Sequence, residues 1–120
     1  MANPSTVNPT APGKEVARRA YFDGLTNSPQ KLIDGVADHI YTVLSIICCE
    51  KNDAAEVLNI TVNPDAGTGV GLMWNTPLPA LSTLVFNDKI VLTGTDELVL
   101  ETTNTANVDV WVSYIDQDFT

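Results

Sequence analysis

Basic residues, histidine and cysteine are all scarce in this chain, and each shortage removes a class of function. Six Lys and Arg stand against fifteen Asp and Glu, giving a net charge of −9 over 120 residues. The imbalance is uneven: residues 1–35 hold four bases and three acids, whereas residues 36–120 hold only Lys51 and Lys89 against twelve acids. A body so negative repels phosphate backbones, so direct nucleic-acid binding is not expected. His39 is the single histidine. Any Ser-His-Asp or Cys-His arrangement must use it, yet neighbouring Asp38 would point to the opposite face of a strand. His39 therefore reads as a surface residue where a strand begins.

Cys48 and Cys49 are the two cysteines, and they are adjacent. Successive strand residues point to opposite faces, so a bond between them would need strained geometry. Both read as free thiols, at least one of them core filler, with no disulfide framework and no metal-ligand spacing around them. Long apolar runs are missing as well. The stretch Val43–Cys49 is far too short to span a bilayer, and the first twenty residues, with Pro4, Pro9 and Pro12, lack the pattern of a signal peptide. The Asp65–Gly69 run lacks the Gly-Lys-Ser/Thr ending of a P-loop and the ligand series of an EF-hand, so it reads as a hairpin or interface loop. Asp96-Glu97 and Asp116-Gln117-Asp118 read as solvated charge at turns and strand ends. No catalytic constellation, metal site or cofactor motif emerges, and the chain is not expected to be an enzyme.

What the chain does have is strand rhythm. Residues 1–13, MANPSTVNPTAPG, show no periodicity, and their prolines favour extended backbone. Lys14–Asp23 fits a short helix, because Val16, Ala17, Ala20 and Tyr21 share one face and Gly24 is placed to end it. Residues 1–30 thus read as an N-terminal arm carrying a short helix, and residues 31–120 as a β domain. Gln30–Asp34 makes a short first strand. Ile40–Glu50 is apolar on both faces and is expected to be central and covered on both sides. Glu56–Asn63, Glu97–Thr102 and Val108–Ile115 alternate as half-buried strands do. Leu72–Asn75 is a short strand, and Thr83–Phe86 and Lys89–Leu92 flank Asn87-Asp88 as a tight hairpin. About eight short strands with turns between them point to an all-β, antiparallel, jelly-roll-like sandwich.

Trp74 and Trp111 are the candidate anchors on this body. Trp111 points away from the Val108/Val110/Val112 side of its strand, and a tryptophan left in water marks a binding surface. A protein interface is the favoured reading, with a sugar-stacking platform as the alternative. In the arm, Tyr21, Phe22 and Leu25 are candidates for burial on a neighbouring subunit, with Arg18 and Arg19 facing acidic groups.

The segments IYTVLSIICCEKN, AEVLNITV and LPALSTLVFNDKIVLTGTDELVLETTNTANVDVWVSYID, read in order from Ile40, resemble a family of small β-sandwich proteins in tailed bacteriophage particles. The likeness covers about two thirds of the chain and consists mostly of strand and turn grammar. It implies a virion structural role: a capsid cement or decoration protein on the major capsid lattice, or a tail, neck or fibre component. It also implies a symmetric homo-oligomer, with a trimer favoured, found in the virion after assembly in the host cytoplasm.

Overall fold

The computed structural model describes residues 14–104 and 106–120. Within them lie β1 (Lys14–Leu25), β2 (Gln30–Asp34), β3 (His39–Glu50), β4 (Glu56–Asn63), β5 (Val70–Leu78), β6 (Thr83–Phe86), β7 (Ile90–Thr93), β8 (Glu97–Thr102) and β9 (Val108–Asp118). They form two antiparallel sheets. The first runs β1-β9-β3-β6, with β7 also paired to β3; the second runs β2-β8-β4-β5. The expected antiparallel sandwich is what the chain adopts.

The spine is the β3–β9 pair, in register from His39 opposite Asp118 to Glu50 opposite Val108. β9 places Val108, Val110 and Val112 at alternate positions, and β3 turns Tyr41, Val43, Ile46 and Cys48 to the same side across its bulge, so one face of each closes on the core. Val43, Ile46, Cys48, Val108 and Val112 are fully buried there and meet Leu58, Ile60, Leu98 and Leu100 of the second sheet. Each such side chain contributes roughly 1.5–3 kcal/mol by leaving water.

Three sequence expectations are corrected. Lys14–Asp23 is not a helix but most of β1, paired with β9 from Lys14 opposite Asp118 to Leu25 opposite Val108. Ala, Arg, Lys and Glu favour a helix locally, but a strand of this length gains a ladder of hydrogen bonds along β9 and buries Leu25, and that tertiary gain wins. The rest of the expected arm, residues 1–13, lies outside the described residues. Asn87-Asp88 is not a hairpin turn. β6 pairs with Ile46–Cys49 and β7 with Ile40–Val43, so the two form one edge strand interrupted where β3 itself bulges between Val43 and Ser45. Finally, β3 is covered on one side only. Tyr41, Val43, Ile46 and Cys48 are buried, while Ile47 on the opposite face is 38% exposed.

One corner depends on a missing side chain. Gly35 ends β2 and donates its amide to Asp96 O at 3.0 Å, and a Cβ at this position would collide with the carbonyl oxygens of Gly94 and Asp96. Asp96 pins the same corner by accepting from the Thr93 and Asp65 amides at 2.9 Å each.

Candidate interaction face

The outward side of the first sheet is built by register. Tyr21 of β1 lies opposite Trp111 of β9, Trp111 opposite Ile47 of β3, and Ile47 opposite Val85 of β6. Strand alternation points all four away from the core. They form a row across the sheet, with Tyr21 61%, Trp111 42% and Val85 56% exposed. A second row runs Ala17, Ile115, Thr42 and Val91.

Within the first row the Tyr21 and Trp111 rings stack, with centroids 5.8 Å apart and planes 18° from parallel. Arg19, two residues along β1, lays its guanidinium carbon 5.4 Å from the Tyr21 centroid and 5.2 Å from that of Trp111. Cations within about 6 Å of an aromatic face are held by the ring quadrupole. Beside the stack lies an open groove of about 220 Å³, lined by Tyr21, Phe22, Ile47, Cys49, Val110 and Trp111 and closed at one end by Asp23 and Asp109. Carboxylates are confined to the rim. Lys51 holds Asp109 at 2.7 Å and Asp23 at 3.3 Å. Burial works against an ionised Asp109, but hydrogen bonds from Lys51 and the Gly24 amide keep its carboxyl below the ordinary value, and the bonds to Asp109 and Asp23 raise Lys51.

The structure thus brings together three of the expected interface residues, Arg19, Tyr21 and Trp111, and separates the others. Arg18 points to the opposite side of β1 and pairs with Asp116 at 2.8 Å. Phe22 packs against the core, and Leu25 is wholly buried in its own body, so Leu25 has no surface to give a neighbour. Trp74 sits on β5, an edge of the second sheet, 62% exposed beside a hollow of about 350 Å³ bounded by Pro29, Thr61, Gly71, Val99 and Glu101. The two tryptophans therefore occupy different sheets. Ile47, Cys49 and Val85 complete the face, and the sequence did hold a signal for the first two: the second apolar side of Ile40–Glu50, which reads equally well as buried.

The other chemical candidates resolve into structural roles. His39 is not a bare surface residue. Its Nδ1 lies 2.7 Å from Asp116 Oδ1 and its Nε2 3.5 Å from Asp118 Oδ1. Both contacts hold the ring at the start of β3, and Cys49, the cysteine of the pair that is not buried, lies roughly 30 Å away along the strand, out of reach of the imidazole. Asp116 is 6% exposed, and Glu97, 5% exposed, is held by Lys31 at 2.8 Å and Asn63 at 3.1 Å. These acids are structural pins rather than solvated turn charge, and the bonds from Lys31 and Asn63 keep Glu97 below its usual value. Glu50 at the end of β3 accepts from the Leu81 amide at 2.8 Å and the Asn52 amide at 2.6 Å, which likewise lowers it. Burial pushes the Cys48 thiol up to about 12. Among the described residues no group of His, Cys, Asp and Glu is arranged to hold a metal ion, and no helix is long and apolar enough to cross a membrane.

Fold and face together define a two-sheet β-sandwich with one uncovered aromatic side. No family model and no curated protein matches the chain. Solved structures do. A pentameric capsid protein isolated from metagenomic phage sequences shares 18% identity at a TM-score of 0.45, over 83% of this chain and 61% of its own. This chain therefore spans less than two thirds of that protein's length. A chain of the acid-stable capsid structure of Helicobacter pylori bacteriophage KHP30 shares 15% identity at a TM-score of 0.53, over 88% of this chain and 89% of that one. A Bacillus endospore appendage protein, from a family of disulfide-linked pili, shares 13% identity at 0.53, over 96% and 97%. The last two carry the likeness, and it is one of fold.

Proposed function

We propose that the chain is a non-enzymatic structural subunit of a virus particle, and in particular a capsid cement or decoration protein that binds the major capsid lattice of a tailed phage. The observation that carries this reading is the outward row Tyr21–Trp111–Ile47–Val85 with Arg19 laid across its rings. Four strands about 4.8 Å apart over about 20 Å of length give a face on the order of 400 Å², within the range of the largest exposed patch on a typical monomer, which is often functional. Trp, Tyr and Arg are also the residues in which binding energy concentrates. Counting β6 and β7 as one interrupted strand, we read the orders β1-β9-β3-β6 and β2-β8-β4-β5 as a jelly roll, an architecture shared by many viral capsid domains. The fold likeness to the phage KHP30 capsid chain supports the same reading.

Symmetric copies would repeat this contact on the particle and add avidity, a trimer being the favoured set. The test is incorporation. Phage carrying the Trp111→Ala, Arg19→Glu double variant should yield purified particles depleted in this protein, while the purified variant keeps its thermal midpoint. Wild-type protein missing from purified particles would end the virion reading.

A fibre-forming role is the second reading, favoured by the two-way coverage with the endospore pilus protein. It requires purified protein to grow into filaments unaided, whereas a cement protein needs its lattice. A sugar platform is the weaker option, because the groove beside the Tyr21–Trp111 stack is apolar and its rim carboxylates are held by Lys51.

A further inference from the structure

Resting on that reading, we infer that the groove beside Tyr21 and Trp111 is the seat for residues 1–13 of a neighbouring copy of this chain. The argument begins with charge. Two bodies that each carry two bases against twelve acids over residues 36–120 repel one another. Residues 1–13, MANPSTVNPTAPG, contain no charged side chain and meet no such barrier.

The second argument is chemical fit. The groove is walled by the two stacked rings, Phe22 and the aliphatic side chain of Ile47, with Asp23 and Asp109 held by Lys51 at its edge and Arg19 laid over the rings beside it. Proline-bearing extended segments dock in aromatic-lined grooves because their backbone is already ordered and little entropy is lost. Pro4, Pro9 and Pro12 supply such a segment.

The third argument is direction. Lys14 lies opposite Asp118, at the end of β1 remote from the groove, which is seven residues or about 23 Å further along the strand. The described part of β1 begins at that remote end. Occupying its own groove would require a full reversal at Lys14 followed by about 23 Å of chain back along the strand, a path that a neighbouring copy's groove does not demand. An extended run of thirteen residues reaches at most about 45 Å, enough to span to a neighbour.

Cys49 lines the groove and reports on its occupancy, while Cys48, buried with its thiol pushed up to about 12, stays silent. The experiment measures Cys49 reaction with an aromatic disulfide reagent in the full chain, alongside mass by light scattering, with and without a synthetic peptide of residues 1–13. Raising the chain concentration should slow Cys49 labelling about tenfold and raise the mass, as expected for mass action at one site. The peptide should slow labelling of dilute chain and lower the mass of concentrated chain, and Trp111→Ala should weaken both effects about tenfold. Slow labelling at every concentration with monomer mass would place the segment on its own body and overturn the inference. A mass increase that the peptide neither competes nor mimics would assign the groove to body-on-body contact and also overturn it, as would no change in either reading. The virion role is judged separately by incorporation, so it can stand while this inference falls.

Discussion

On the outward side of the second sheet, polar groups find partners within the chain. Glu97 takes Lys31 and Asn63, and Asn59 accepts from the Asn75 amide at 2.7 Å. On the outward side of the first sheet, Tyr21, Trp111 and Arg19 find one another, but Ile47, Val85 and Val91 remain partly open to solvent. Both sheets close the same core with the same alternation. The difference lies in what satisfies the leftover side: carboxylates and amides complete their hydrogen bonds laterally, within one sheet, whereas aliphatic and indole surface is satisfied only by another layer. A polar outer face is finished when the chain folds, and an apolar one is finished when something binds.

The most forceful way to break this contrast is to cut adjacent residues on β3. Ile46→Ala should cost about 3 kcal/mol in urea unfolding because it leaves a cavity in the core, while Ile47→Ala should cost under about 1 kcal/mol. Equal losses would mean that the outer face is already covered. The next largest effect is on assembly. Trp111→Ala should lower particle incorporation about tenfold, whereas Trp74→Ala on the second sheet should leave it unchanged. Similar losses would make both faces contacts. Acid sharpens the comparison further. Glu50, Asp96 and Glu97 are held below their ordinary values by hydrogen bonds to the ionised form. The stability they contribute is complete above their unfolded values, about 4 to 4.5, and is lost as pH falls through the lower folded values. The thermal midpoint should therefore be level from neutral to about pH 5 and decline below about pH 4, and Glu97→Gln should flatten that decline by removing one such group. The smallest effect concerns Glu56, whose Oε2 is buried without a hydrogen-bond partner among the described residues. Glu56→Gln should leave stability unchanged or raise it by about 1 kcal/mol, read from the same urea curves.

Much of this contrast was legible in the residues. The alternation in Glu56–Asn63, Glu97–Thr102 and Val108–Ile115 located three strands, and the phase of Val108, Val110 and Val112 put Trp111 outside. What failed was whatever depended on a distant partner. Val16, Ala17, Ala20 and Tyr21 share a helical face as readily as they share a strand, and only β9, some ninety residues later, decides between them. Ile40–Glu50 showed two apolar sides, which fit a buried strand and an unfinished surface equally well. Tyr21 and Trp111 were each singled out, but their stacking follows from register, which the sequence does not print.

The pairing of β1 with β9 carries a further consequence. Arg19 and Tyr21 come from the first described strand and Trp111 from the last, so the face proposed as a contact does not exist until the two have met. Contacts this far apart in sequence form late and slowly. A chain still being synthesised, or one that has lost its final strand, holds half of the site and cannot dock. Under the proposed role, recognition would wait for completed folding: a growing shell built through this surface would admit finished subunits and turn away faulty ones, with no separate inspector required.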